Sequence, residues 1–178
     1  MKNKLLLHSC CAPCSTSVIE DLKEEFDITI LFYNPNIEPE EEYLKRKEEQ
    51  LKYLNKINIP HLEIDYQNNK FHKAILGYEN EPEKGKRCQS CIFHRLKTVA
   101  KVAKEKECDV FTTTLTVSPH KDSEFINDTG AVLARRYQVK YLIGDFKKEN
   151  GYQKSIELAK EHNLYRQNYC GCRYSRRG

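Results

Sequence analysis

Residues 5–15 read LLLHSCCAPCS. Leu5 to His8 is a compact apolar run of strand type, and from about Ser15 a helix is expected in which Val18, Ile19 and Leu22 share one face. Strand, tight turn and helix in that order form the opening unit of an α/β fold with a parallel sheet. In such sheets ligands bind beyond the carboxyl ends of the strands, and the first turn is where a nucleotide-binding protein carries its phosphate-cradling glycines. Here Cys10, Cys11 and Cys14 stand in that place.

The rest of the chain continues the alternation. Ile28 to Tyr33 reads as a second strand. The Asn34-Pro35-Asn36 turn then leads into a charged helix over about 39–55, with Tyr43, Leu44, Leu51 and Leu54 as its expected buried stripe. Leu62 to Asp65 is the third strand. A short apolar helix around Phe71 to Leu76 precedes a Glu/Pro/Gly/Lys-rich loop that delivers Cys88. Next come a helix from about Ser90 to Lys106 burying Leu96, Val99 and Val102, and a strand from Val110 to Leu115. A helix from about Glu124 to Tyr137, a strand from Tyr141 to Ile143 and a helix from about Gln153 to Glu161 complete the pattern. It predicts one α/β domain over 1–178 with a parallel sheet of about five strands and right-handed crossovers, for which the doubly wound strand order 3-2-1-4-5 is taken. In that order the fourth strand neighbours the first, so Thr116, Ser118, His120 and Asp122 either face the cysteine crevice or serve as turn and cap residues.

A chain of 178 residues buries an ordinary hydrophobic core without covalent help. It has no apolar run near the roughly 20 residues that span a bilayer and no signal-type leader, so no membrane partner and a cytoplasmic location are expected. The formal charge is +4, and the stretch Tyr165 to Gly178 carries Arg166, Arg173, Arg176 and Arg177 with no acidic residue. That basic segment, 165–178, contains Cys170 and Cys172 and is expected to close the site.

Seven of the eight cysteines fall in three tight groups: Cys10, Cys11 and Cys14; Cys88 and Cys91; Cys170 and Cys172. Close pairs of this kind bring two thiolates to one metal, and a helix N-terminus beside them favours the thiolate. A disulfide framework is the alternative, but it belongs to small secreted chains. Zinc and a [4Fe-4S] cluster each take four thiolates, and soft sulfur ligands do not choose between them. Three thiols are left over, for a second metal, a redox dithiol or an open ligand position. Cys108 stands apart and reads as a small buried apolar residue.

The segments LHSCCAPCS, RCQSC, TTTLTVSPHKD and NYCGCRYS, spread from Leu7 to Ser175, together resemble the cobalamin-independent epoxyqueuosine reductases (QueH type). The resemblance implies an adenine-nucleotide-hydrolase-like α/β domain, an iron–sulfur cofactor, and reduction of epoxyqueuosine to queuosine at the wobble position of tRNA. Turning the cyclopentane epoxide into an alkene releases one oxygen as water and takes two electrons and two protons. An external donor such as a ferredoxin or flavodoxin would supply the electrons. On this reading a [4Fe-4S] cluster sits on Cys88 and Cys91 with Cys10 and Cys11, and a second iron sits on Cys170 and Cys172 with Cys14. His120, Asp122, His8 and Tyr169 are the candidate proton donors. Arg166, Arg173, Arg176 and Arg177, interleaved with Tyr165, Tyr169 and Tyr174, are the candidate contacts to the anticodon stem-loop. By contrast Lys45-Arg46-Lys47, amid Glu40, Glu41, Glu42, Glu48 and Glu49, reads as a solvated helix face. Two other functions use the same features: a zinc-stabilised RNA-binding module without catalysis, which needs four thiols, and a thiol/disulfide oxidoreductase, which needs no iron.

Overall fold

In the computed structural model, which describes residues 1–176, five parallel strands run in the order β3-β2-β1-β4-β5. They are β1 (Asn3–His8), β2 (Phe26–Leu31), β3 (His61–Leu62), β4 (Val110–Thr113) and β5 (Lys140–Tyr141). The helices are α1 (Ala12–Leu22), α2 (Glu40–Ile57), α3 (Asn68–Ala74), α4 (Lys86–Glu105), α5 (Ser123–Tyr137) and α6 (Gly151–Glu161). β1 is the central strand, and Leu5, Leu6 and Leu7 are each fully buried because both faces of a parallel sheet are covered. Leu6, Leu31 and Phe111 face Leu96, Val99, Ile126 and Leu133 of α4 and α5. Leu5, Leu7 and Ile30 face Val18, Ile19, Tyr53 and Leu54 of α1 and α2. Among the described residues no helix is long and apolar enough to cross a membrane.

Strand register places the site. His8 pairs in register with Leu31 on one side and with Thr113 on the other. The loops that follow β1, β2 and β4 therefore leave the sheet at one level and meet above it.

The predicted element order and the 3-2-1-4-5 topology match the structure, while several boundaries differ for physical reasons. The edge strands β3 and β5 have two residues each. An edge has only one neighbour to pair with, and Ile143, expected in the last strand, is 70% exposed. α1 begins at Ala12 rather than near Ser15, with Pro13 in its first turn, where the fixed φ of proline suits a helix start. α4 begins at Lys86 rather than near Ser90. Cys88 and Cys91 therefore sit in the first turns of a helix, not at the end of a loop. β4 stops at Thr113 and a short 3-10 turn follows at Leu115–Val117.

The largest departure lies on α2. Leu44 is 53% exposed, and the buried side chains are Tyr43, Arg46, Gln50, Tyr53 and Leu54. At about 100° per residue Leu44 is rotated away from that arc, so its apolarity does not bring it into the core. The expectation of a solvated Lys45-Arg46-Lys47 face holds for the exposed Lys45 and fails at Arg46. Arg46 is 2% exposed. Its Nε donates to Glu42, and its NH1 and NH2 donate to the carbonyls of Cys170 (2.9 Å) and Tyr169 (3.1 Å). Lys45 lies 3.7 Å from the Tyr165 ring centroid, and Lys47 pairs with Glu63.

Arg46 thus seats the irregular C-terminal segment on α2. Glu38 reinforces it: its N–H donates to the carbonyl of Gly171, its carboxylate pairs with Arg173, and its carbonyl accepts the Tyr169 hydroxyl. Replacing Arg46 with Met leaves two carbonyls without their donor and removes the cation from a largely buried Glu42 carboxylate, which keeps the Tyr165 hydroxyl. The expected loss is about 3–5 kcal/mol in urea unfolding of the metal-free protein, with faster tryptic cleavage after Arg166. Unchanged stability and unchanged cleavage would show that other contacts seat the segment.

Candidate metal and substrate site

The turn after β1 is tied down before any thiol chemistry is considered. The Ser9 carbonyl accepts the Asn34 side-chain amide, and the single Ser9 hydroxyl proton is shared between the Cys11 carbonyl and Gln50 Oε1. The Cys10 N–H donates to Thr114 Oγ1, 3.1 Å away across the β1–β4 pair. The result is convergence of three sulfurs. The Sγ atoms of Cys10, Cys11 and Cys14 all lie within 4.8 Å of one another. Hydrogen bonds from Cys11 and then Cys14 hold the Cys10 thiol well below the ordinary range, while the shared hydrogen bonds and burial push Cys11 and Cys14 up. The three sulfurs, sharing hydrogen bonds at this distance, together favour a single negative charge.

A cavity of about 510 Å³ opens above this turn. Six of the seven grouped cysteines line it, all but Cys11. Cys88 and Cys91 enter from α4, and burial pushes the Cys91 thiol up to about 11. Cys170 and Cys172 enter from the C-terminal segment. The Nζ of Lys121 lies 2.9 Å from Cys170 Sγ. Burial works against the Cys170 thiolate, but the charges of Lys121 and Arg95 outweigh it and bring that thiol below its ordinary range.

Arg95 is the second cation of the site. It is 2% exposed, its NH1 donates to Asn34 Oδ1 at 3.2 Å, and its Nε has no partner. Its electrostatic neighbours are the thiols of Cys91, Cys170, Cys10 and Cys172. The sequence reading missed Arg95 and Lys121. A signal for Arg95 was present, because Cys88, Cys91 and Arg95 follow one another at helical spacings of three and four and so share a face of α4. Lys121 lay inside the quoted segment TTTLTVSPHKD, but nothing local indicates that it reaches a cysteine 49 positions away.

The remaining predicted residues divide. His120 and Asp122 line the cavity, and Asp122 also caps α5 by accepting the Phe125 N–H at 3.1 Å. The two readings of Asp122 hold together. Ser118 lines the cavity as well, whereas Thr116 is buried and its hydroxyl accepts the Phe146 N–H. His8 is fully buried, with ring nitrogens 2.8 Å from Thr113 Oγ1 and 2.9 Å from the Tyr33 carbonyl. Burial and then the Arg95 charge push its pKa down to about 4, so it is neutral at pH 7. Tyr169 lines the cavity, but its hydroxyl is engaged with the Glu38 carbonyl. Arg166 is exposed and lines the cavity, Arg173 is paired with Glu38, and the Arg176 guanidinium carbon lies 5.9 Å from the Tyr169 ring centroid. Arg177 lies outside the described residues. Cys108 is half-buried against the α4–α5 side of the core, away from the other seven.

Comparison with solved structures assigns the class. The chain is similar to the U34-tRNA thiolase NcsA from Methanococcus maripaludis, solved with its [4Fe-4S] cluster. The TM-score is 0.62 at 16% identity, over 99% of this chain and 62% of that one, so the chain spans less than two thirds of NcsA. It is also similar to a predicted tRNA methyltransferase subunit from Methanocaldococcus jannaschii, with TM-score 0.57 at 17% identity over 90% and 75% of the two chains. At such identity the likeness shows a shared α/β fold built on a parallel sheet and no more. Sequence supplies the particular family. The family model described as epoxyqueuosine reductase QueH matches residues 5–178. Relatives bearing that name include those of Streptococcus pyogenes (42% identical over 98% of this chain and 71% of the relative) and Staphylococcus epidermidis (45%, over 95% and 74%). That of Thermotoga maritima is 37% identical over 96% and 89%. The chain belongs to the QueH family of epoxyqueuosine reductases and is an oxidoreductase.

Gly171, between Cys170 and Cys172, sets how that pair is presented. Its φ of +146° is one that L side chains rarely adopt, and an added Cβ would lie 3.0 Å from Ile37 Cγ1 and 3.1 Å from Asn36 Nδ2. Gly171→Ala is expected to unseat the pair at a cost of about 1–3 kcal/mol in stability. Alkylation of Cys172, which is 6% exposed in the native fold, should accelerate severalfold in the metal-free protein when followed by mass spectrometry. Alkylation at the native rate would mean that the turn tolerates a side chain.

Proposed function

We propose that this reductase acts on epoxyqueuosine carried at the wobble position of a tRNA anticodon, and that its grouped cysteines hold a [4Fe-4S] cluster and a second iron. The observation that carries the reading is the gathering of six grouped thiols and two cations, Arg95 and Lys121, around one cavity. A structural zinc site needs four thiolates and no cavity. The donor set fits iron: it is all sulfur, three of its atoms already converge within 4.8 Å, and buried positive charge stands beside the thiolates. Cys10 and Cys11 with Cys88 and Cys91 on α4 would make up the four ligands of the cluster, and Cys14, whose Sγ converges with those of Cys10 and Cys11, would be left for the second centre. Cys170 and Cys172 are then the pair for the second iron.

Bound there, the iron centres would relay to the substrate the two electrons that an external donor such as a ferredoxin or flavodoxin provides. The protein's own groups do the rest. A cavity of about 510 Å³ accommodates a modified base with its cyclopentane substituent. Arg95 and Lys121 hold positive charge where negative charge develops as the epoxide C–O bond breaks. Of the four proton-donor candidates, His8 is neutral and internal and Tyr169 has its hydroxyl engaged. His120 and Asp122 remain on the cavity wall, and Lys121 joins them as a candidate. The two protons and two electrons convert the epoxide into an alkene and water.

Protein purified without oxygen is expected to be brown and to contain sulfide and more than the four irons of one [4Fe-4S] cluster. Cys88→Ser or Cys91→Ser should abolish cluster absorbance and reduction of the epoxide, whereas Cys108→Ser should keep iron content and turnover near those of the parent. Stoichiometric zinc without sulfide would sink the proposal, and loss of iron in the Cys108 variant would show that this thiol is part of the site.

A further inference from the structure

The helix that carries Cys88 and Cys91 is the most basic element of the chain. Within α4 there are six cationic side chains, Lys86, Arg87, Arg95, Lys97, Lys101 and Lys104, and one acidic, Glu105. This helix alone carries more positive charge than the +4 of the whole protein. Arg87 and Arg95 are buried at 3% and 2% exposure. The four lysines are on the surface side, and among the described residues none of them is in an ion pair.

Their spacing is not scattered. At about 100° per residue, positions 86, 97, 101 and 104 fall within about 60° of one another, and Phe93 falls about 20° outside them. They form one stripe, about 27 Å long at 1.5 Å per residue. Phe93 interrupts the lysines and is 37% exposed, as is Tyr78 across from it. Between α3 and this stripe lies a groove of about 530 Å³ whose lining includes Tyr78, Lys86, Phe93, His94 and Lys97 and no acidic residue. The groove adjoins the thiol cavity, because Gln89 lines both.

Lysines along one line with aromatic rings between them are what a nucleic-acid backbone requires: fixed positive charge for phosphates and a flat surface for an unstacked base. Of the C-terminal arginines, Arg173 is less available for that task, since it is paired with Glu38. We propose that the α4 stripe, Lys86, Phe93, Lys97, Lys101 and Lys104, is the surface that binds the anticodon arm of the tRNA, with the arm's backbone along the helix and its modified base turned into the thiol cavity at the helix N-terminus. This rests on the tRNA reading above and gives that substrate a place on the protein. The chemistry that recognises it is a polyanionic RNA backbone next to an unpaired, unstacked nucleotide.

The test compares two charge-matched double variants by fluorescence anisotropy with a labelled anticodon stem-loop RNA over a series of salt concentrations. Lys97→Glu/Lys101→Glu should weaken binding at least tenfold and reduce the log–log salt slope by up to about 1.4–1.8, from roughly 0.7–0.9 per lost phosphate contact. Lys52→Glu/Lys56→Glu, on α2, should leave affinity and slope close to those of the parent. Phe93→Ala should weaken binding by about fivefold or more. Iron content and unfolding midpoint should not move in any of these surface variants. Parent-like RNA binding by the α4 variant would overturn the proposal while leaving the tRNA reading intact. So would parent-like RNA binding combined with slower turnover on a reduced ferredoxin but not on dithionite, which would assign the stripe to an acidic electron donor. A parent protein that binds no stem-loop at any salt would overturn the tRNA reading and the stripe with it.

Discussion

Everything at the functional end of this molecule depends on holding many sulfurs close together at one end of a parallel sheet. Each thiolate brought there loses hydration and repels its neighbours, so the arrangement needs donors and cations in fixed places. The fold provides them at three levels. Thr114 and Asn34 hold the Cys10 turn through hydrogen bonds from the adjacent strand ends. Arg95 stands buried behind the thiols, and Lys121 touches Cys170 from the other side. Among the three N-terminal thiols, shared hydrogen bonds favour a single negative charge. Two cations and one polarised trio make a pocket of soft anions compatible with a folded protein.

The same requirement explains the C-terminal segment. Residues 165–176 contain no helix or strand, so their backbone groups find partners elsewhere. Arg46 takes two carbonyls and Glu38 takes Gly171, Arg173 and Tyr169. These contacts are polar and directional, which fixes the Cys170–Cys172 turn more closely than apolar packing would. Gly171 permits the backbone path, and Arg46 and Glu38 hold it.

Much was legible in the sequence because it depends on short-range periodicity. Leu5–His8 as the first strand and Val18, Ile19 and Leu22 as the buried face of α1 follow from apolar spacing, and the alternation of strands and helices implies a parallel sheet with right-handed crossovers, of which 3-2-1-4-5 is one permitted order. The three cysteine groups were visible as chemistry, and parallel topology alone placed the first of them at a sheet crevice. Spacing along α4 also carried the relation of Arg95 to Cys88 and Cys91, since residues three and four apart share a helix face.

Tertiary structure decided what lies between elements distant in sequence. Arg46 sits in a run of alternating charge, and only packing against residues 169 and 170 makes it a buried clamp and not a solvated side chain. Lys121 meets Cys170 because β4 neighbours β1 and the C-terminal segment returns across both. The lengths of β3 and β5 were set by having one neighbour each. The sequence by itself determined which elements form, their order and which residues carry reactive sulfur, since those follow from local spacing and residue chemistry. Which cations stand against that sulfur, and which basic residues remain free for a partner, was decided only by the fold, because electrostatic energy depends on distance in space and not on separation along the chain.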